Sequence, residues 1–141
     1  MIDSDYKKSN EIIDIKHKRF NKKYIKVLSS CETLSERVKH SQLLLNYLCD
    51  IFNIIDVKLV VSNSPQPKKG RGALCGYYDG SKIKIYNLTS KKHAVVSIKS
   101  YIDTLLHEFM HHYDKHKIHL VNSYHTLGFY KRISDLKSKL S

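Results

Sequence analysis

Cysteine is scarce in this sequence. Its three copies, Cys31, Cys49 and Cys75, are odd in number and far apart, and none belongs to a C-x-x-C pair. That pattern argues against a disulfide scaffold or a zinc ribbon and points to a reducing compartment. Long apolar runs are missing too. Residues 1–10 are polar with no core of signal-peptide length, and no stretch approaches a membrane span, so the expectation is a soluble, cytoplasmic protein with no membrane partner. Acidic residues are the third shortage: 13 Asp and Glu stand against 25 Lys and Arg, a net charge of +12. Such a surplus favours anionic partners such as DNA, although a lysine-rich solvated surface accounts for it equally well. No internal repeat is visible, and 141 residues suffice for one domain with its own core.

Residues 1–30 are charged and carry Ile12, Ile13, Ile15, Phe20, Tyr24, Ile25 and Leu28, a set that can line one side of a helix. Lys16, Lys18, Arg19, Lys22, Lys23 and Lys26 would then be largely exposed, which makes this a basic, helical segment of the domain whose body is residues 31–141. Thr33 and Glu36 have capping-box spacing and open a core helix through Val38, Leu43, Leu44, Leu45, Tyr47, Leu48, Ile51 and Phe52, with Cys49 buried among them. Ile55, Val57, Leu59 and Val61 alternate with Asp56 and Lys58 as in a strand with one buried face. Residues 63–72 hold both prolines together with Lys68, Lys69 and Arg71. They read as an exposed, mobile loop whose cations are candidate nucleic-acid contacts. Residues 73–78 and 82–87 flank Asp79-Gly80, a strong hairpin signal, with Ile83 and Ile85 on the buried face of the second strand.

Chemistry concentrates further on. Ser97 is placed to cap a helix whose apolar sector is Ile98, Ile102, Leu105, Leu106, Phe109, Met110 and Tyr113. Within it lies His107-Glu108-Phe109-Met110-His111, an H-E-x-x-H motif. Histidines four apart on a helix stack one turn above each other and can share one metal ion, while the glutamate is near enough to act on a water there. Both histidines fall outside the apolar sector. Asp103 and Asp114 project near the same line and are candidates to take the outer ring N–H of a ligating histidine. His112 points a quarter turn or more away and is a poor ligand candidate.

A catalytic zinc site typically takes three protein ligands and leaves a fourth position open. The remaining downstream histidines are His116, His119 and His125. The first two sit close to the end of the helix, whereas His125 follows a connection long enough to turn, and precedes a second helical pattern of Leu127, Tyr130, Ile133, Leu136 and Leu140.

His107-Glu108-x-x-His111, a loop, and then His125-Thr126-Leu127-Gly128-Phe129 before an amphipathic helix resembles the SprT-like zinc metallopeptidases, in which a third histidine opens a segment of the type H-G-x-x-F. The phenylalanine keeps its place four residues after the histidine; the glycine stands at Gly128 instead of directly after it, and these 141 residues contain no zinc ribbon of the kind that follows the protease domain in many members. The resemblance implies one zinc ion on His107, His111 and His125, Glu108 as catalytic base, and hydrolysis of peptide bonds. It also implies a single α+β, zincin-like domain, in which N-terminal helices pack on a small antiparallel or mixed sheet with an active-site helix and a C-terminal helix. Some members of the family act on proteins crosslinked to DNA, which suits a basic chain. Tyr124, Tyr130 and His112 are unranked candidates for donating to a developing oxyanion, and the Asp79-Gly80 hairpin is the expected upper rim of the cleft. Two other readings stay open: a nucleic-acid-binding protein with a structural zinc, and a helical interaction module whose histidines are incidental.

Overall fold

The computed structural model describes residues 3–17 and 19–141. In chain order its elements are α1 (Ser4–Glu11), α2 (Lys23–Ser29), α3 (Leu34–Phe52), β1 (Lys58–Pro65), β2 (Lys68–Lys69), β3 (Gly72–Ala73), β4 (Gly76–Tyr78), β5 (Lys82–Leu88), α4 (Ile98–His116) and α5 (Leu127–Leu140). Helices and a small mixed sheet share one hydrophobic core, so the fold is α+β, as expected. β5 is the centre of the larger sheet, parallel to β1 on one side and antiparallel to β4 on the other. Its side chains alternate in burial, with Ile83, Ile85 and Asn87 inward, because successive strand residues leave on opposite faces. α4 packs on β4 and β5, and α3 on β1.

The local signals explain where most elements begin. At the start of α3 the Glu36 amide donates to Thr33 Oγ1 and the Thr33 amide to Glu36 Oε1, both at 3.1 Å, which completes the capping box. In the hairpin between β4 and β5, Gly80 adopts a φ of +96°. Asp79 Oδ1 accepts from the Ser81 and Lys82 amides, and those bonds hold its carboxyl down at about 2.

Four expectations change. The buried stripe of α3 runs through Arg37, Ser41, Leu44, Leu48 and Phe52, which leaves Val38 and Leu43 outside it and exposed. Ile55 precedes β1 and is exposed as well. Residues 63–72 are not a plain loop. β1 continues to Pro65, and β2 pairs with β3 across Gly70, whose φ of +57° suits glycine.

The N-terminal segment differs most. Helix is confined to α1 and α2, and the described residues between them are tied to α5 instead. Arg132 Nη1 donates to the Ser9 and Ile12 carbonyls, and the Ile15 amide donates to Asp135 Oδ2 at 2.7 Å. A continuing helix would need those same backbone groups. Ile15 and Leu28 still reach the core, while Lys16, Arg19, Lys22, Lys23 and Lys26 are exposed; Lys18 lies outside the described residues.

This strap passes very close to α5. A Cβ at Gly128 would lie 2.1 Å from the Ser9 carbonyl oxygen, so glycine at this position has a packing reason. Gly128→Ala is expected to destabilise the fold by about 2–3 kcal/mol, read as a lower urea midpoint at unchanged slope. An unchanged midpoint would show that the strap yields without cost.

Candidate metal centre

α4 is capped at Ser97, whose Oγ accepts from the Ser100 amide at 3.2 Å, and buries Ile102, Leu105, Leu106, Phe109, Met110 and Tyr113. His107 and His111 leave the helix beside that sector, one turn apart and half-buried. Thr126 caps α5, accepting from the Phe129 amide at 3.0 Å, and so sets His125 at the mouth of the helix. The three rings converge. His125 Nε2 is 3.2 Å from His107 Nε2 and 3.1 Å from His111 Nε2, and the three candidate ligand atoms lie within 4.8 Å of one another. Phe129, fully buried, forms the floor beneath them, its ring centroid 5.1, 4.7 and 5.2 Å from those of His107, His111 and His125.

These residues fit a metal ion. A neutral imidazole carries one N–H, so a proton on His125 Nε2 can serve only one of the two nitrogens facing it, and lone pairs are left opposed. A cation relieves that opposition, and tetrahedral zinc with Zn–N about 2.0–2.1 Å sets its ligands about 3.3 Å apart. Burial pushes His107 down to about 4, helped by His125, and His111 down to about 3, helped by both neighbours, so both rings are neutral at ordinary pH. The three histidines are therefore close enough to hold a metal ion. Among the described residues no fourth His, Cys, Asp or Glu joins the group.

The centre opens into a cleft of about 830 Å³ between the edge strand β4, the 120–125 segment and the β2–β3 hairpin. Glu108 lines it, buried, with Oε2 4.0 Å from His107 Nε2 and no hydrogen bond to its carboxylate from the described residues. Burial lifts its carboxyl to about 7, against the pull of Lys69 across the cleft. Lys69 thus borders the centre, whereas Lys68 and Arg71 are exposed on the same hairpin and do not line the cleft.

The remaining sequence candidates separate. Asp103 pairs with Lys137 at the surface and bonds none of the three histidines. Asp114 is buried and reaches His111 only through Ser123: His111 Nδ1 is 2.8 Å from Ser123 Oγ, which donates to Asp114 Oδ2 at 2.7 Å. His112 is turned away into the fold, its Nδ1 2.8 Å from the Tyr78 hydroxyl and its Nε2 2.7 Å from the Ile55 carbonyl, so neither nitrogen is left for a substrate. Tyr124 lines the cleft but donates to Asp3 Oδ2 at 3.1 Å. Tyr130 is half-exposed, with its ring 6.1 Å from His107 and 6.0 Å from His125.

Two residues absent from the sequence reading matter here. Arg132 is fully buried and sends Nη2 to both Asp114 oxygens, at 3.0 and 2.9 Å. Its signal was present: the buried positions of α5 run Phe129, Arg132, Leu136, Leu140, which puts a cation in the apolar stripe. Ser123 lies in a connection with no periodicity and gave none. Set against protein-family models, curated proteins and solved structures, the chain matches none.

Proposed function

We propose that this protein is a zinc-dependent peptidase. The observation that carries the reading is Glu108: a buried carboxyl, free of protein hydrogen bonds among the described residues, facing an open cleft beside three converging imidazole nitrogens. His107, His111 and His125 would hold the zinc ion, which would supply a Lewis acid and make a water in the cleft more acidic. Glu108 takes the proton of the attacking water at its carboxylate and passes it to the departing amine. β4 offers an exposed sheet edge along the cleft, on which an extended peptide can lie as an added strand. A purely structural zinc takes four protein ligands, whereas three are assembled here among the described residues.

The basic β2–β3 hairpin at the rim and the net charge of +12 suit substrates associated with nucleic acid. Cleavage of an unstructured protein should therefore be measured with and without DNA. We expect one zinc per chain, loss of cleavage on chelation, recovery with one equivalent of zinc, and at least tenfold weaker zinc binding in His125→Ala. A chain that binds one zinc and cuts nothing under either condition would overturn the peptidase; zinc content near zero would overturn the metal centre.

A further inference from the structure

We propose that Ser123 is a positioning residue of the metal centre. Its hydroxyl, held by the buried Asp114–Arg132 pair, fixes the His111 ring with the proton on Nδ1 and the Nε2 lone pair turned to the cleft. This rests on the metal-binding part of the reading above and not on peptidase activity.

The direction of the chain of bonds follows from counting protons. Arg132 is charged at any accessible pH and can only donate. With its side chain wholly shielded from solvent, its charge is balanced by the Asp114 carboxylate, which accepts from Nη2 through both oxygens. Asp114 Oδ2 also accepts from the Ser123 hydroxyl at 2.7 Å. A serine hydroxyl has one proton, and that proton is committed to Asp114. Toward His111, 2.8 Å away, Ser123 Oγ can therefore only accept. Nδ1 must carry the ring proton, and a neutral imidazole protonated there has a bare Nε2.

The arrangement is also rigid. Arg132 Nη1 is anchored on the Ser9 and Ile12 carbonyls, so the N-terminal strap, α5, α4 and the 120–125 segment all meet at this relay. Asp114 follows His111 by less than a turn of α4 and faces inward, and the serine spans the distance between them. Among the described residues, His111 is the only one of the three histidines whose outer ring nitrogen bonds a protein group.

Ring nitrogen NMR on the metal-free chain at neutral pH reads the tautomer directly. We expect Nδ1–H at His111 in the unaltered protein and a population of Nε2–H, which blocks the ligand atom, in Ser123→Ala. Zinc affinity, measured by competition with a chromophoric chelator, should weaken about tenfold to a hundredfold in Ser123→Ala and return in Ser123→Thr, which keeps the hydroxyl. Unaltered affinity in Ser123→Ala, or a loss that threonine does not restore, overturns the proposal. A loss that follows a lowered urea midpoint of the metal-free variant, with the tautomer unchanged, does so as well. The two readings fail separately: no zinc uptake by the unaltered chain sinks both, whereas Nε2–H at His111 in a zinc-binding chain sinks the relay alone.

Discussion

Glu108→Gln should lower peptide hydrolysis by about 10²- to 10⁴-fold, the range carried by a positioned general base, while one zinc stays bound. Glutamine keeps the shape and burial of the side chain but cannot accept the proton. The metal should remain because Glu108 is not one of the three converging ligands. Undiminished cleavage would refute the base, and loss of zinc would show that Glu108 helps hold the site.

The same variant carries a pH signature in the metal-free protein. Glu108, raised in the fold from 4.5 to about 7, contributes stability that is fully present below its ordinary value and lost as pH rises through the folded one. His107 and His111 are depressed, so their contribution is present above the ordinary 6.5 and lost as pH falls toward about 4 and 3. Both variants share the histidine effect. Glu108→Gln should therefore gain on the unaltered chain between about pH 4 and pH 8, by about 3 kcal/mol in all. Urea titrations across that window check it, and parallel stability profiles would show that the carboxyl is not raised.

Arg132→Met is expected to cost about 3–5 kcal/mol, a large part of the roughly 5–15 kcal/mol that holds a domain folded. It strands the Asp114 carboxylate in a place closed to water and frees the Ser9 and Ile12 carbonyls that the guanidinium holds. Removing both charges in Arg132→Met with Asp114→Leu should restore much of the loss, because no ion is then buried alone. That double variant still lacks the acceptor for Ser123, so its zinc affinity should stay low although its urea midpoint recovers. A single Arg132→Met variant with an unaltered midpoint would show the pair to be energetically idle.

The parts of the fold that could be read from sequence are those whose cause is local. The Thr33–Glu36 box, the Ser97 cap, the Asp79-Gly80 turn and the period of α4 each rest on residues within a few positions of one another, and the structure holds them where they were expected. Spacing favoured His125 over His116 and His119 and the resemblance set it with the H-E-x-x-H pair; in the structure a cap at Thr126 starts α5 directly after it and the three rings converge. What escaped was set at a distance. Ile12 to Leu28 have helical spacing, yet Arg132 and Asp135 claim the backbone between α1 and α2. Asp103 and Asp114 looked equivalent on a helical wheel. Lys137 draws one to the surface, and Arg132 draws the other into the core. His112 looked free to donate until Tyr78 and the Ile55 carbonyl took its ring.

The strap has a consequence for the order of assembly. The segment carrying Ser123 and His125 is bonded to residues more than a hundred positions earlier: Lys8 to the Ile118 carbonyl, Ser9 to Thr126 and Asp5 to the Asn122 amide, across separations of 110, 117 and 117 residues. Contacts so remote in sequence slow folding more than they weaken the product, since loop-closure entropy grows only with the logarithm of length. A chain still emerging from the ribosome shows His107 and His111 while His125 has neither its helix nor its strap. Such a chain has two thirds of the histidine set, so the three-histidine cluster is completed only late in folding.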